Sequence, residues 1–255
     1  MRGVRIDLET PDGSLDCHLF SPADGDNPPS RPPGPWPAVV VYMDAFGLRP
    51  NLDSMAQRLA SHGYVVAVPN LYHRTGALVP FDPRAVTIDG PERTRFAGMI
   101  RSIDGPMVMR DTAAVMEHLD GRPDVRPGPR GTLGYCMGGG YALLAAGSFP
   151  DHVAAAASFH GGSLATDRPD SPHLLADRMR ARLYVGVAEI DHTFDRAQQA
   201  RLEDALTRGG VRYGLDVYAG ARHGFAVTGH LAYDQAAAER HWGHVVELFG
   251  ASLHE

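Results

Sequence analysis

Gly134-Tyr135-Cys136-Met137-Gly138 sets a cysteine at the centre of a G-x-nucleophile-x-G pentapeptide. A nucleophile held at a tight strand-to-helix turn needs small residues two places to either side, because a larger side chain would strike the neighbouring strand and helix. Gly134 and Gly138 meet that demand, and Gly139 and Gly140 extend the clearance into the first helical turn. Glycines inside a helix cost roughly 0.5–1 kcal/mol each against alanine, so a run of them needs a reason, and close packing on a sheet supplies one. Met137 opens the helix, so its amide has no intrahelical acceptor and stands at the positive end of the helix dipole. Such a position favours a thiolate at 136 and an oxyanion beside it. Acyl transfer is the chemistry this turn can perform. Taken alone, Cys136 also fits a small buried thiol in a glycine-rich crossover; a dinucleotide loop is disfavoured because the G-x-G-x-x-G spacing is absent.

A nucleophile of this kind needs an acid and a histidine further along the chain. Asp191 follows the apolar run Arg182–Ala188, at the strand end where sites form in parallel sheets. Glu189 and Asp195 are its rivals, although Asp195 suits the N-cap of the next helix. His223 stands in Ala219-Gly220-Ala221-Arg222-His223-Gly224-Phe225, among small residues and between the last strand and the last helix. Cys136, Asp191 and His223 are therefore the candidate triad. His160 and His192 are candidates for the pocket lining. His241 and His244 share a helix face, but no third ligand or H-E-x-x-H pattern accompanies them, so no metal site is expected.

The elements that must position these residues are legible as alternating apolar and amphipathic blocks. Val4–Leu8 and Leu15–Phe20 read as a hairpin around Pro11-Asp12-Gly13, and Ser21–Trp36, rich in Pro, Gly and Asp, as an exposed loop. Continuous apolar runs at Pro37–Met43 and Tyr64–Pro69 suit strands buried on both faces. Further strands are expected at Arg130–Tyr135, Val153–Phe159, Arg182–Ala188 and Val211–Tyr218. Asn51–His62 carries Leu52, Met55, Leu59 and Ala60 at helical spacing and stops at Gly63. Pro106–Leu119, Met137–Phe149, Arg196–Arg208 and Leu231–Phe249 complete the helices. Arg74–Ile103 has no clean period and reads as a loop-rich excursion over a pocket. Strands alternating with helices throughout indicate one α/β domain over 1–255, with a mostly parallel central sheet and helices on both faces.

Bulk properties narrow the partners. With 44% hydrophobic and 21% charged residues in 255, the chain can bury a full core, and a net charge of −6 argues against nucleic acid. No run approaches the ~20 apolar residues that span a bilayer, so no membrane partner is expected. Charges interrupt every apolar run in Met1–Glu9, which disfavours a signal peptide. The two cysteines, Cys17 and Cys136, are then expected as free thiols in a reducing, cytoplasmic setting.

Leu133–Gly139, the segment around Asp191-His192, and Ala221–Phe225 together resemble the dienelactone hydrolase family, cysteine-nucleophile members of the α/β-hydrolase superfamily. The similarity extends to Met43-Asp44-Ala45-Phe46-Gly47, Leu52–Pro69 and Asn70-Leu71-Tyr72-His73-Arg74, hence nearly the whole chain. It implies an α/β-hydrolase fold and a carboxylic ester hydrolase without a cofactor, acting as monomer or homodimer on a small-molecule ester or lactone. It also implies oxyanion donors at the amides of Met137 and Ala45. Asp44 matches a thiol-activating carboxylate that is glutamate in better-known members. Arg74 matches one of two arginines that bind a substrate carboxylate, whereas the second position is Val227. Phe46, Tyr135, His160, Phe225 and Val227 are the remaining candidates for substrate contact. The missing arginine leaves room for a neutral ester or lactone as the substrate. A carboxylesterase or tailoring hydrolase of the same fold, a catalytically silent ligand-binding protein, and a redox sensor built on Cys136 are the alternative readings.

Overall fold

The computed structural model describes residues 2–22, 34–76 and 79–254; most of the loop expected at 21–36 lies outside them. Strands β1 (Arg2–Thr10) and β2 (Gly13–Ser21) form the expected hairpin, paired antiparallel with Leu8 opposite Leu15. The other strands are β3 (Ala38–Tyr42), β4 (Val65–Pro69), β5 (Arg130–Tyr135), β6 (Val153–Phe159), β7 (Arg182–Ile190) and β8 (Tyr213–Arg222). They form one sheet of eight strands in the order β1-β2-β4-β3-β5-β6-β7-β8. β2 meets β4 antiparallel, and every pairing from β4 to β8 is parallel. The continuous apolar runs earn their place: every residue of β3, β4 and β5 is buried.

Helices α1 (Pro50–Ser61), α2 (Pro91–Arg101), α3 (Gly105–Asp120), α4 (Met137–Ser148), α5 (Arg196–Arg208) and α6 (Gln235–Leu253) connect or flank the strands. Successive residues of β5 show how both faces are covered, since side chains alternate along a strand. A side chain at Gly131 would meet Phe249 and Leu253 of α6, while the Thr132 hydroxyl donates to the Ala142 carbonyl in α4. The fold is thus α/β, with helices on both faces.

Several features differ from the sequence expectation. The excursion contains a helix, α2, which buries no residue fully and so carries no apolar stripe to read. β8 begins at Tyr213 and continues to Arg222, because the Gly220 amide is held by the Glu189 carboxylate at the end of β7. α6 starts at Gln235 rather than Leu231, capped by Asp234, whose carboxylate accepts the Ala237 amide at 2.9 Å. A 3₁₀ segment, Pro172–Arg178, lies between β6 and β7 where no element was expected.

Candidate active site

The carboxyl ends of β3, β5, β6, β7 and β8 lie side by side and deliver Asp44-Ala45, Cys136, His160, Asp191 and His223 to one region. At the centre is the sharp turn between β5 and α4. Cys136 has φ 56° and ψ −123°, a conformation L-residues rarely adopt and one that must be held by its surroundings. A β-carbon on Gly134 would lie 1.9 Å from the Gly138 carbonyl oxygen, and one on Gly138 would lie 2.4 Å from the Tyr42 carbonyl oxygen. One on Gly139 would meet the Ser158 hydroxyl at 2.4 Å. Gly140 is different: nothing lies within 3.8 Å of the added atom, so clearance does not require glycine there. The Cys136 amide donates to the Phe159 carbonyl and to His160 Nδ1, both at 3.2 Å, tying the turn to the end of β6.

His223 is placed by the turn after β8, with Nδ1 2.6 Å from Asp191 Oδ2. That leaves Nε2 for Cys136, with which it is in hydrogen-bonding contact. Burial alone would lower the affinity of this imidazole for protons, but its interactions with Cys136 and with the Asp191 carboxylate outweigh it and push its pKa up to about 10. Asp191 Oδ1 accepts the Thr193 amide at 2.8 Å and the Thr193 hydroxyl at 2.6 Å. Burial would raise the Asp191 pKa, yet His223 and Thr193 together hold it below the usual carboxylate range. The two rivals of Asp191 are engaged elsewhere: Glu189 on the Gly220 amide, and Asp195 as the cap of α5 through the Gln198 amide at 2.9 Å. His192 is exposed.

His160 lies beneath the triad rather than on the cavity wall. Complete burial holds it neutral, its pKa well below the ordinary value. Its ring stands edge-on to His223 and to Phe225 with centroids 5.2 Å away in each case. With Nδ1 accepting from Cys136, Nε2 carries the proton and has no hydrogen-bond partner among the described residues.

Met137 and Ala45 line the same cavity as Cys136, and the amide of neither donates to a backbone acceptor among the described residues. The Ala45 carbonyl accepts the buried Tyr72 hydroxyl at 3.0 Å. Asp44 does not serve the thiol as the resemblance implied. Both of its oxygens pair with the Arg49 guanidinium at 2.6 Å, and one also accepts the Phe46 amide at 3.0 Å. All three of these bonds lie within its own loop and the start of α1.

A cavity of about 280 Å³ opens over Cys136 and His223. Ile100 and Ile103 at the end of the excursion, Tyr141 and Leu144 of α4, and Pro172 form its apolar wall. Ser163, Thr166 and Thr193 supply hydroxyls, and Arg168 and Asp170 supply the charges. Those charges cancel, because Arg168 Nε and Nη2 donate to the two oxygens of Asp170 at 3.0 Å each.

Several residues expected to touch substrate do not line this cavity. Arg74 turns away, bidentate to the buried Asp111 at 2.8 and 2.9 Å and paired with Asp12 at 2.7 Å. Val227 and Phe225 are fully buried, the latter stacked on Tyr218. Tyr135 points into the core, its hydroxyl 3.0 Å from His241 Nε2. Phe46 packs on Phe96 and lines a separate cavity of about 220 Å³ with Arg49 and His230. The walls the sequence reading missed come from the α2 end and the loop after β6, segments without periodicity. Thr193 had a readable signal, a hydroxyl two residues after an aspartate, which is the spacing of a local side-chain turn.

Cys17 is a free, buried thiol on β2, pushed up to about 12 by burial, and Cys136 is likewise free. Among the described residues no helix is long and apolar enough to cross a membrane.

The sequence profile of the dienelactone hydrolase family matches residues 27–253. A Synechocystis protein named "Putative carboxymethylenebutenolidase" is 29% identical over 223 residues, covering 86% of this chain and 88% of that one. The carboxymethylenebutenolidase of Rhodococcus opacus is 27% identical over 221 residues, 85% of this chain and 81% of its own length. Among solved structures, one from Klebsiella pneumoniae described as a "Putative Dienelactone Hydrolase" superposes with a TM-score of 0.82 at 21% identity, covering 98% of both chains. With a cysteine at the strand-to-helix turn and a match along almost its entire length, the chain belongs to the dienelactone hydrolase family and is an ester or lactone hydrolase of the α/β-hydrolase fold.

Proposed function

We propose that the protein hydrolyses a neutral, largely apolar ester or lactone through a Cys136 acyl-enzyme. The observation that carries this reading is the 2.6 Å contact between Asp191 and His223, whose other nitrogen meets a cysteine held in a strained turn. The Cys136 thiolate attacks the carbonyl carbon, and the oxyanion is received by the amides of Met137 and Ala45. Collapse expels the alkoxide, which takes the proton from His223 Nε2 and leaves a thioester. His223 Nε2 then removes a proton from water as the oxygen attacks the thioester, and the thiolate departs. Ester and water become acid and alcohol, and Cys136 and His223 return to their starting states. Asp191 holds the imidazole in orientation and stabilises its charged form.

Three features of the cavity support a neutral substrate. Arg74 is committed to two carboxylates, position 227 is a buried valine, and Arg168 is neutralised by Asp170. An anionic substrate would have to break one of these pairs before gaining a charged contact, and such contacts are worth roughly 1.5–3 kcal/mol. A free nucleophilic thiol also fits a reducing compartment such as the cytoplasm.

The test compares kcat/KM for an uncharged aryl acetate with that for a dienelactone bearing its carboxylate, using Cys136→Ala as the blank. The aryl ester is expected to win by about tenfold or more, one charge-assisted contact's worth. A dienelactone preferred by that margin would overturn the neutral-substrate reading. Turnover of neither compound by the wild-type protein would overturn both readings of the substrate and place it outside simple aryl esters and dienelactones.

A further inference from the structure

We infer that Arg49 is a positioning residue for this hydrolysis: its two-point pairing with Asp44 fixes the turn that presents the Ala45 amide to the oxyanion and stops a buried carboxylate from opposing the Cys136 thiolate. The inference rests on the acyl-transfer reading above.

The loop after β3 is held from several directions. Asp44 is buried, and its carboxylate is gripped by both terminal nitrogens of Arg49 at 2.6 Å. Arg49 Nη1 also donates to the Gly47 carbonyl at 3.0 Å, and Arg49 itself is the N-cap residue of α1. Within the turn, Asp44 accepts the Phe46 amide on its side chain and the Gly47 amide on its carbonyl at 3.1 Å. Tyr72 holds the Ala45 carbonyl from below. The peptide linking Asp44 and Ala45, at the edge of the cavity that Cys136 also lines, therefore has its orientation set by an ion pair outside that cavity. An oxyanion donor is useful only when aimed beforehand.

Charge gives the second half of the argument. Around Asp44 stand Arg49, Tyr72 from the segment after β4, and His230 from the segment after β8. Around Cys136 stand His223, His160 and Tyr72. Burial keeps Tyr72 a neutral phenol, and it holds His230 and His160 below the ordinary imidazole range. Arg49 is then the permanent cation bonded to Asp44. Without it, a buried negative charge would face the thiolate and the developing oxyanion across Tyr72, disfavouring both. With it, Asp44 is electrically silent and His223 alone balances Cys136.

The experiment measures kcat, KM and the pH profile of kcat/KM on the uncharged aryl acetate for Arg49→Gln, Arg49→Lys and the double variant Asp44→Asn/Arg49→Gln. Arg49→Gln is expected to lower kcat by about tenfold or more, a fraction of what losing an oxyanion donor outright costs, with KM nearly unchanged. It should also displace the acid limb of the profile to higher pH. The double variant should return that limb to its original position while kcat stays low, since charge balance is restored and the forked clamp is not. Arg49→Lys keeps a cation without the fork, so its acid limb should stay in place with kcat partly lost. Wild-type kcat and profile in a folded Arg49→Gln would overturn the inference, as would a displaced limb in the double variant. Should Arg49→Gln not fold, the Lys variant decides by the same two readings. Activity surviving in Cys136→Ala would instead sink the acyl-transfer reading.

Discussion

Asp191 shows how a single carboxylate is kept ionised and aimed without sitting in open solvent. One oxygen receives His223; the other receives both the amide and the hydroxyl of Thr193. The Thr193 oxygen also lies 3.3 Å from His223 Nδ1, so this hydroxyl braces the pair from the side that faces the cavity. Replacing it with Thr193→Val, nearly the same shape, removes one hydrogen bond to a charged group, about 1.5–3 kcal/mol. We expect kcat/KM to fall by about ten- to a hundredfold on that basis, with Thr193→Ser close to wild type. Asp191→Asn should be far worse, on the order of 10⁴ in kcat, because the imidazole loses the partner that fixes its tautomer. Equal activity in Thr193→Val and the parent would show that the amide of residue 193 suffices to hold the carboxylate.

The β5–α4 crossover makes a sharper demand on its glycines than the pattern alone suggests, and it separates two neighbours that look alike. An alanine at 139 would drive its β-carbon to 2.4 Å from the Ser158 hydroxyl and 2.9 Å from the Gly161 α-carbon. One at 140 would meet nothing closer than 3.8 Å. Gly139→Ala should therefore unfold at distinctly lower denaturant, whereas Gly140→Ala should gain up to about 1 kcal/mol from helix propensity. Urea unfolding of the two variants checks this; a loss of stability in Gly140→Ala would show that the helix start needs more room than its contacts indicate. The strand–turn–helix unit itself could be read from Arg130–Phe149, since continuous apolar runs and paired glycines each have one physical explanation there. The hairpin, the parallel strands and the order Cys136, Asp191, His223 were legible for the same reason. The cavity wall was not. Helix α2 buries nothing fully, so no stripe marks it, and the 160–172 loop owes its shape to tertiary contacts such as Ser171 Oγ accepting the Thr166 amide at 2.9 Å. The commitment of Arg74 was not legible either, because no local pattern reveals that Asp12 and Asp111, each far away in sequence, converge on it.

At the scale of the whole molecule, the buried imidazoles tie stability to pH in opposite directions. His241 on α6 is fully buried, its Nδ1 2.5 Å from the Ala238 carbonyl and its Nε2 accepting the Tyr135 hydroxyl. Burial pulls its pKa from 6.5 down to about 4. Folding therefore keeps it neutral where the unfolded chain would bind a proton, and this stability is present above about pH 6.5 and is lost as pH falls toward 4. At about 1.4 kcal/mol for each pH unit the loss amounts to roughly 3 kcal/mol, a large part of the stability of a typical domain. His160 acts in the same direction. His223 has the opposite sign: raised to about 10, it contributes stability that is complete below pH 6.5 and is lost as pH rises toward 10. Asp191, held below the usual carboxylate range, contributes stability that is present above that range and is lost as pH falls below it. The melting temperature should accordingly peak near neutrality and fall on both sides, with a shallower acid limb in His241→Gln and a shallower basic limb in Cys136→Ala, where one of the partners that raise the His223 pKa is gone. A flat profile between about pH 6.5 and 4 in the wild type would contradict a neutral His241 in the core, and an unaltered acid limb in His241→Gln would assign the proton uptake to His160.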